Sequence, residues 1–333
     1  MAKKIVTFGE IMLRLSPPGY NRVVLTERFD ATYGGSEANV AISLSRFGKD
    51  VAHVTKVPEH AVGQAVVDHL RRHGVDTSSV LRGGERLGVY YLENGVSMRS
   101  PQVIYDRKGA AFAEAAVDEY DSDAILADAD WFHVSGITPA LSDSCAALTM
   151  RFMEAARKRG ITTSIDLNYR KKLWSREKAV QTLIPLCRLA DVCIGADASL
   201  LSSPMDVEQE DPAAVQVLLA ALHKEFGFRS IVTTVRVSHS ASDNDWSAVC
   251  YDGKTFHVTR QYSIRIVDRV GGGDGFAAGL LYGLHSGWSL DKSTDFATAA
   301  GALKHTIPGD INLVTVEEVN ELLQGDGSGK VQR

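Results

Sequence analysis

Two hydrophobic patterns alternate along most of the chain. Short runs of about four to eight apolar residues are typical of strands buried in a sheet, and longer stretches with apolar residues at helical spacing are typical of amphipathic helices. The alternation is most regular after residue 124. We predict strands at 5–8, 51–57, 129–135, 162–167, 192–194 and 230–235. We predict helices at 142–159, 178–189, 213–226 and 294–305, together with an earlier helix that ends at 74 and a last helix that starts at 315. Such alternation predicts an α/β fold with a mostly parallel sheet and right-handed crossovers.

Two segments interrupt this rhythm. Residues 13–33 contain Pro-Pro-Gly at 17–19 among scattered apolar positions, a composition that is unlike a helix. Residues 88–106 alternate apolar and polar side chains on both sides of Asn94-Gly95, a dipeptide that favours a tight hairpin turn. We therefore expect these two segments to form short strands apart from the main sheet.

The composition is that of an ordinary globular protein. The 333 residues are 44% hydrophobic and 23% charged, with a formal net charge of -5. At roughly 150 residues a domain, this length suits two domains or one large α/β unit. No extended basic run is present, which argues against a nucleic-acid partner and favours a small-molecule ligand. The sequence contains no secretory signal pattern and no apolar run of membrane-spanning length, so we expect a cytoplasmic protein with no membrane contact.

The strongest candidate for chemistry is residues 268–281, DRVGGGDGFAAGLL, where an extended run ends, three glycines follow and a helical pattern begins. Glycine lets the backbone approach a ligand, and the free N–H groups and dipole of a helix N-terminus favour an anion such as phosphate. Asp274 lies at this N-terminus, where a carboxylate is stabilised and is able to accept a proton from a hydroxyl. A glycine turn before an aspartate also starts many ordinary helices, so structural capping is an equal alternative. The stretch is neither a P-loop nor a dinucleotide-binding fingerprint.

Polar residues follow other predicted strands, at the edge where open α/β sheets bind ligands. Glu10 follows the first strand, and the D-x-N-x-R sequence of Asp166, Asn168 and Arg170 follows a later one. An arginine fork donates two parallel hydrogen bonds to a carboxylate or a phosphate. Convergence of Arg107 with Arg170 would therefore favour an acidic ligand over a neutral one.

These stretches resemble the signatures of the ribokinase-like (PfkB-type) carbohydrate kinases, and the resemblance extends over essentially the whole chain. DRVGGGDGFAAGLL resembles the C-terminal signature, GGSEANVAISLSRFG at 34–48 resembles the GG-x-x-x-N-x-A signature, and D-x-N-x-R matches a further motif. Arg269 and the sequence YDRKGAA at 105–111 resemble one branch, the 2-keto-3-deoxygluconate kinases. The resemblance implies a ribokinase-like fold, in which helices flank both faces of a mostly parallel central sheet and a small β-sheet forms a lid.

The resemblance also implies a division of the chain into a core and a lid. The α/β core, which would bind nucleotide and substrate, is expected to comprise 1–12, 34–87 and 111–325, and the lid 13–33 and 88–110. We expect the lid to form the contact of a homo-oligomer as well. The Gly/Ser-rich tail at 326–333 is expected to be poorly ordered.

Four groups of site residues follow from the resemblance. The catalytic group is Asp274 as the base with Gly271, Gly272 and Gly273 as the anion hole. The substrate group is Gly34, Gly35, Asn39, Tyr90, Tyr105, Arg107 and Arg170. The nucleotide group is Asn168, Arg236, Ser238, Gly273 and His305. Asp268, with nearby carbonyl groups, is implied to hold a monovalent cation such as K⁺.

The implied reaction is the Mg²⁺-dependent transfer of the γ-phosphoryl group of ATP to the terminal hydroxyl of 2-keto-3-deoxygluconate, giving the 6-phosphate. One motif departs from the family, because an N-x-x-E-like sequence that helps to hold Mg²⁺ is replaced by IGADASLL, with Ala196 and Ser199 at the key positions. Two alternatives stay open: a kinase for a neutral sugar such as fructose or ribose, and a sugar-binding homologue with weakened catalysis. The substrate stereoisomer and the oligomer size are also left open.

Overall fold

The computed structural model describes residues 4–325 of the chain. The tail predicted at 326–333 lies outside the described residues, as do residues 1–3. The strands are β1 (Lys4–Phe8), β2 (Met12–Ser16), β3 (Asp30–Gly34), β4 (Asp50–Val57), β5 (Val80–Arg82), β6 (Val89–Glu93), β7 (Gln102–Asp106), β8 (Ala129–Ser135), β9 (Thr162–Asp166), β10 (Val192–Ile194), β11 (Ser230–Ser238), β12 (Asp243–Tyr251), β13 (Phe256–Val258) and β14 (Tyr262–Arg265). The helices are α1 (Ser36–Arg46), α2 (Ala61–Arg72), α3 (Ser122–Ile125), α4 (Asp143–Lys158), α5 (Arg176–Cys187), α6 (Pro212–Phe226), α7 (Gly272–His285), α8 (Leu290–Lys304) and α9 (Val316–Gln324). None of the helices within 4–325 has the length and apolar character needed to cross a bilayer.

Ten strands form the main sheet, in the order β13-β12-β11-β10-β9-β8-β1-β4-β5, with β14 also paired to β12. The neighbouring pairs from β11 to β5 are all parallel, and β12 runs antiparallel to β11, β13 and β14. Helices cover both faces of the sheet. Helices α1, α2, α7, α8 and α9 enclose one hydrophobic core, and α4, α5 and α6 enclose the other. The prediction of a mostly parallel sheet flanked by helices on both faces is therefore confirmed.

Local sequence signals explain where the helices begin and end. The side chain of Asp211 caps α6, Pro212 occupies its first turn, and Gly227 ends it in the left-handed conformation with φ of 72°. Proline suits a first turn because its missing N–H is not needed there, and glycine reaches positive φ without strain. Thr315 and Glu318 form a reciprocal capping box at the start of α9. Because these signals are local, the predicted bounds of α6 and the predicted start of α9 agree with the structure to within one residue.

Four strands form a second sheet, in the order β3-β2-β6-β7. The expected hairpin is present as the antiparallel pair β6 and β7, but the prediction that Asn94-Gly95 forms its turn is wrong. The tight turn lies at Ser97-Met98 and is closed by two backbone hydrogen bonds of 2.9 Å between Val96 and Arg99. The β6–β7 register places Pro101 opposite Asn94, and because proline has no N–H the ladder stops there.

A buried arginine joins the second sheet to the rest of the molecule. Arg14 on β2 donates from Nη2 to Asp268 Oδ2 at 2.6 Å and from Nη1 to Asp310 Oδ1 at 2.5 Å. Tyr90 on β6 donates its hydroxyl to the other carboxylate oxygen of Asp310. The three charged side chains are at most 4% exposed. Burial alone would lower the pKa of Arg14, but the carboxylates of Asp310 and Asp268 raise it above its usual value, so the guanidinium stays charged.

We predict that Arg14→Met lowers the free energy of unfolding by about 3 to 5 kcal/mol, because the substitution removes the guanidinium that donates hydrogen bonds to two buried carboxylates. Equilibrium denaturation of the variant and the wild type measures this loss. The control is Arg176→Met, which removes an ion pair with Asp197. Because the Arg176 side chain is 44% exposed, its loss should cost no more than about 1 kcal/mol. Equal losses in the two variants would contradict the larger contribution assigned to the buried cluster.

Candidate active site

A cavity of about 710 Å³ lies where the carboxyl ends of the main-sheet strands meet the second sheet and the N-terminus of α7. Open α/β sheets bind their ligands at this edge. The predicted site residues in the cavity wall are Gly34, Gly35, Asn39, Tyr90, Tyr105, Arg107, Asn168, Arg170, Arg236, Asp268, Gly271, Gly273 and Asp274. Of the predicted residues, Gly272, Ser238 and His305 are not part of the wall. Segments from both halves of the chain thus surround one space.

Asp274 lies in the first turn of α7, with both of its carboxylate oxygens held by side chains of α1. Ser36 Oγ donates to Oδ1 at 2.9 Å, and Asn39 Nδ2 donates to Oδ2 at 2.7 Å. The amide oxygen of Asn39 accepts the N–H of Gly35 at 3.3 Å, which fixes the direction of its NH₂ group. Burial raises the pKa of Asp274, and the hydrogen bonds from Asn39 and Ser36 counteract that rise. The cavity therefore contains an oriented carboxylate, and the part of Ser36 in holding it was not predicted from the sequence.

The three glycines at the start of α7 have different surroundings. Gly271 has φ of 83°, and a Cβ there would lie 1.8 Å from the carbonyl oxygen of Asp310. A Cβ on Gly272 would lie 2.2 Å from the imidazole ring of His305. A Cβ on Gly273 would meet nothing within 4 Å, and this residue lines the cavity. The first two glycines permit close packing below the turn, and Gly273 leaves room for an anion at the free N–H groups of the helix.

Gly34 and Gly35 also allow close packing of other protein atoms. A Cβ on Gly34 would lie 1.9 Å from Asp310 Oδ2, and a Cβ on Gly35 would lie 2.0 Å from the carbonyl oxygen of Glu10. The glycines were expected to make room for a ligand, and in the structure they also make room for Asp310 and Glu10. Asp310 itself was missed, because a Pro-Gly-Asp loop after a helix has no distinctive pattern.

Asp166 ends β9 and lines the same cavity. Its carboxylate accepts the N–H of Asn168 at 3.2 Å, and Asn168 has a positive φ of 32°. Burial raises the pKa of Asp166 to about 7, the negative charge of Asp274 adds to this rise, and Arg170 opposes it. Below that pH Asp166 carries a proton. Asp274 accepts hydrogen bonds from two side chains, so its ionised form is the better stabilised of the two.

Arg107 follows β7 and donates from Nη2 to Glu10, just beyond the end of β1. Its guanidinium lies over the ring of Tyr105, 5.5 Å from the ring centroid. Burial raises the pKa of Glu10, and Arg107 opposes that rise. Glu10 Oε1 and Arg107 Nε are buried and have no hydrogen-bond partner among the described residues. Because an unmade buried hydrogen bond is costly, the free donor of Arg107 favours a further acceptor in the cavity.

Two arginines, Arg236 and Arg269, also line the cavity, and residues outside the cavity wall hold them by hydrogen bonds. Burial lowers the pKa of His305 to about 3, so its ring is neutral. His305 Nδ1 lies 2.6 Å from the carbonyl oxygen of Gly301 and therefore carries the proton, and Nε2 accepts from Arg236 Nη2 at 3.2 Å. Arg269 donates to Ser238 Oγ at 3.2 Å. His305 and Ser238 thus hold the two arginines, and their own assignment to the nucleotide stays a prediction.

The region that departs from the N-x-x-E motif also reaches the cavity. Ala196 and Asp197 line it, and Ser199 lies in the short helical turn that follows. Asp197 accepts the N–H of Ser199 at 3.0 Å and pairs with Arg176. In the part of the chain that the structure describes, no group of three or more His, Cys, Asp or Glu side chains is arranged to hold a metal ion. A Mg²⁺ ion here would therefore need oxygen ligands from phosphate or water as well as from protein carboxylates.

Proteins of known family resemble this chain over nearly its whole length. The family model described as pfkB family carbohydrate kinase matches residues 2–316. A 2-dehydro-3-deoxygalactonokinase of Haloferax volcanii is 34% identical over 329 residues, which cover 99% of this chain and 99% of that protein. A 2-dehydro-3-deoxygluconokinase of Bacillus subtilis is 30% identical over 317 residues, which cover 94% of this chain and 93% of that protein.

A solved structure agrees with the family model. The crystal structure of a 2-dehydro-3-deoxygluconokinase from Thermotoga maritima is 42% identical and covers 97% of this chain and 100% of its own, with a TM-score of 0.94. The ribokinase-like fold expected from the sequence is thereby confirmed. Because the family model spans residues 2–316 and these relatives cover 94% of the chain or more, the protein belongs to the pfkB family of carbohydrate kinases.

Proposed function

We propose that the protein is an ATP-dependent sugar-acid kinase that phosphorylates the terminal hydroxyl of 2-keto-3-deoxygluconate to give the 6-phosphate. The observation that carries the proposal is the carboxylate of Asp274, oriented at a helix N-terminus in one cavity with Arg107 and Arg170. The reaction requires a proton acceptor, an anion site and cationic groups, and this cavity contains all three. The names of the Thermotoga, Bacillus and Haloferax relatives support a 3-deoxy keto acid as the substrate.

In the proposed reaction Asp274 accepts the proton of the substrate hydroxyl as its oxygen attacks the γ-phosphorus of ATP. Ser36 and Asn39 hold the carboxylate in one orientation, so no rearrangement is needed when the hydroxyl arrives. The N–H groups of the first turn of α7, beside Gly273, bind the transferred phosphoryl group, whose negative charge is spread over three oxygens. Asp166 is protonated below about pH 7, so it adds no second negative charge there.

The substrate carboxylate is assigned to Arg107, with Arg170 and Tyr105 in the same wall. Glu10 holds one end of the Arg107 guanidinium, and its Nε donor has no protein partner among residues 4–325. The guanidinium is therefore oriented before a ligand arrives, which reduces the entropy lost on binding. The remaining proposed sugar contacts are Gly34, Gly35, Asn39 and Tyr90.

The nucleotide phosphates are assigned to Arg236 and the N-terminus of α7, with Asn168 and Arg269 in the same cavity. Mg²⁺ usually keeps several waters and binds phosphate oxygens with one or two carboxylates, and Asp197 in the wall fits that requirement, as does Asp166 in its ionised form. Bound there, Mg²⁺ would offset the negative charge of the β- and γ-phosphates.

The second sheet is proposed to be a lid over this site. The lid is proposed to comprise 13–33 and 88–110, with its strands β2 and β3 extending one residue further at each end to Met12 and Gly34, and the core 1–12, 34–87 and 111–325. The lid segments expose large apolar side chains, namely Val24, Leu25, Met98, Ile104 and Tyr105. Because a group of exposed apolar side chains indicates a contact surface, we propose a homo-oligomer that forms through the lid. A cytoplasmic location, where ATP is available, is part of the same proposal.

Asp274→Asn should lower kcat by roughly 10²- to 10⁴-fold, because the amide keeps the size of the side chain and cannot accept the proton. Product formation would be followed by mass, with ATP and one sugar at a time: 2-keto-3-deoxygluconate, its galactonate epimer, gluconate, fructose or ribose. Asp143→Asn, at a surface ion pair with Lys178, is the control and should leave kcat unchanged. Turnover of the keto acids alone would support the proposal. Sugar binding without any product would instead favour the homologue with weakened catalysis.

Arg107→Gln tests whether the substrate is an acid. The Michaelis constant for the keto acid should rise roughly 10- to 100-fold, since a hydrogen bond to a charged group contributes about 1.5 to 3 kcal/mol. The Michaelis constant for ATP should not change. Arg99→Gln is the matched control, because Arg99 bonds to Glu93 and to the carbonyl of Tyr20 and does not line the cavity. An unchanged constant for the keto acid would favour the neutral-sugar kinase.

The pH dependence of kcat/KM should report the protonation of Asp274. Only the ionised carboxylate accepts the hydroxyl proton, so the rate should fall as the pH decreases through the raised pKa of Asp274. The hydrogen bond from Ser36 lowers this pKa, so Ser36→Ala should raise it and move the acidic limb to higher pH. Ser202→Ala, at a surface hydrogen bond to Glu225, serves as the control. An acidic limb that stays in place or moves to lower pH would contradict Asp274 as the base.

A further inference from the structure

The monovalent cation implied beside Asp268 is tested by the atoms that surround this carboxylate. Asp268 Oδ1 accepts the N–H of Val270 at 3.1 Å. Asp268 Oδ2 accepts Arg14 Nη2 at 2.6 Å and the N–H of Gly309 at 3.0 Å. A carboxylate has about four acceptor positions, so three of them are already in use, one by a full positive charge.

The carbonyl groups next to Asp268 are also occupied. The carbonyl oxygen of His305 accepts the N–H of Val267 at 2.8 Å and that of Asp268 at 3.2 Å. The carbonyl oxygen of Ile307 accepts Nζ of Lys304 at 3.1 Å. These oxygens would be the natural ligands of K⁺, and they bind amide and amine groups of the chain instead.

Lys304 is the last residue of α8 and is completely buried, with 0% of its surface exposed. A Cβ built on Gly271 would lie 3.1 Å from Lys304 Cε, and a Cβ on Gly275 would lie 3.3 Å from Lys304 Cβ. The lysine side chain therefore runs beneath the first turn of α7. Burial lowers the pKa of Lys304, and the negative charges of Asp268 and Asp310 counteract this decrease. A lysine is almost never fully buried unless it is paired. The Nζ of Lys304 donates to the carbonyl oxygen of Ile307, and the charges of Asp268 and Asp310 act on it from beyond hydrogen-bond distance.

The balance of charges indicates that the buried amine is protonated. Asp268 and Asp310 contribute two negative charges and Arg14 one positive charge, which would leave one buried negative charge unmatched. The ammonium form of Lys304 brings these four groups to neutrality, and the negative charge of Asp274 nearby also favours it. A K⁺ ion beside Asp268 would add a third positive charge to the same four groups, and repulsion from Arg14 and Lys304 would oppose it.

We infer that the ammonium group of Lys304 takes the place of the monovalent cation beside Asp268, so that the kinase needs neither K⁺ nor Na⁺ for turnover. The inference rests on the proposed function, because it concerns the charge beneath the proposed phosphoryl site. Lys304 touches no substrate and acts through the turn above it, as a positioning residue. Its positive charge adds to that of the α7 N-terminus and favours the negative phosphoryl group on the other side.

The test compares the wild type with Lys304→Ala and Lys304→Met when the monovalent cation is either K⁺ or tetramethylammonium, at about 0.15 M ionic strength. ATP and the keto acid are supplied as tetramethylammonium salts, with Mg²⁺ constant. Alanine leaves space beside Asp268 that K⁺ can enter, whereas methionine fills the space without a charge. Lys178→Ala, on the surface, is the control. The two readouts are kcat and Tm.

In the wild type and in Lys178→Ala, kcat should differ by less than about twofold between the two salts, as screening alone would allow. In tetramethylammonium, the kcat of Lys304→Ala should be at least about tenfold below that of the wild type, and K⁺ should restore most of it. The kcat of Lys304→Met should be equally low in both salts. K⁺ should raise the Tm of Lys304→Ala only, because a ligand that binds the folded state alone stabilises it.

Three results would overturn the inference. They are a wild-type kcat that increases tenfold with K⁺, a wild-type Tm that K⁺ raises, and a Lys304→Ala variant whose kcat and Tm do not change with K⁺. If neither Lys304 variant folds, the wild-type comparison still decides it. If no keto acid is phosphorylated in either salt, the proposed function fails, whereas the Tm comparison still tests the cation site. The two failures are therefore distinguishable.

Discussion

A buried guanidinium held between two carboxylates is the contact on which the geometry of the site depends. Arg14 comes from the second sheet, Asp268 lies three residues before the first glycine of the turn, and Asp310 lies in the loop after α8, so one group fixes three distant segments. Removing these charges from water costs several kcal/mol per ion, and only their mutual pairing offsets that cost. The cluster therefore fixes the positions of the second sheet, the glycine turn and the loop relative to one another. Because Asp310 also packs against Gly34, the start of α1 is fixed by the same cluster.

The main sheet was predictable because its signals are local and periodic. The bounds predicted for β8 and β10 are those of the structure, since both are short apolar runs with clear ends. The turn of the β6–β7 hairpin was not predictable in the same way. Its position depends on the register of the two strands, which pairs Glu93 with Gln102 and is set along the whole length of both strands. Local propensity favoured Asn-Gly, and this register overruled it, because it places the last pair before the turn at Val96 and Arg99.

The candidate site was predictable only where a motif marks it. Asp274 and Asn39 were found because glycine-rich helix starts surround them, and the structure places them in contact. Asp310 and Lys304 carry no such mark. A lysine at the end of a helix normally points into solvent and interacts with the helix dipole, so only its burial in the folded chain shows another role. Residues of this kind act through contacts between segments far apart in the sequence, and no local pattern encodes those contacts.

The ion pair between Arg107 and Glu10 places a carboxylate of the chain beside the proposed site for an acid. A ligand carboxylate that binds the remaining donors of the guanidinium meets a positive charge that Glu10 already offsets in part, so modest affinity and sharp selectivity are compatible. A neutral sugar offers hydroxyl groups in place of a carboxylate, and these form weaker hydrogen bonds with a guanidinium. The selectivity proposed for this site therefore depends on one charged bond made in the presence of another, and the carboxylate that sets the reference belongs to the chain itself.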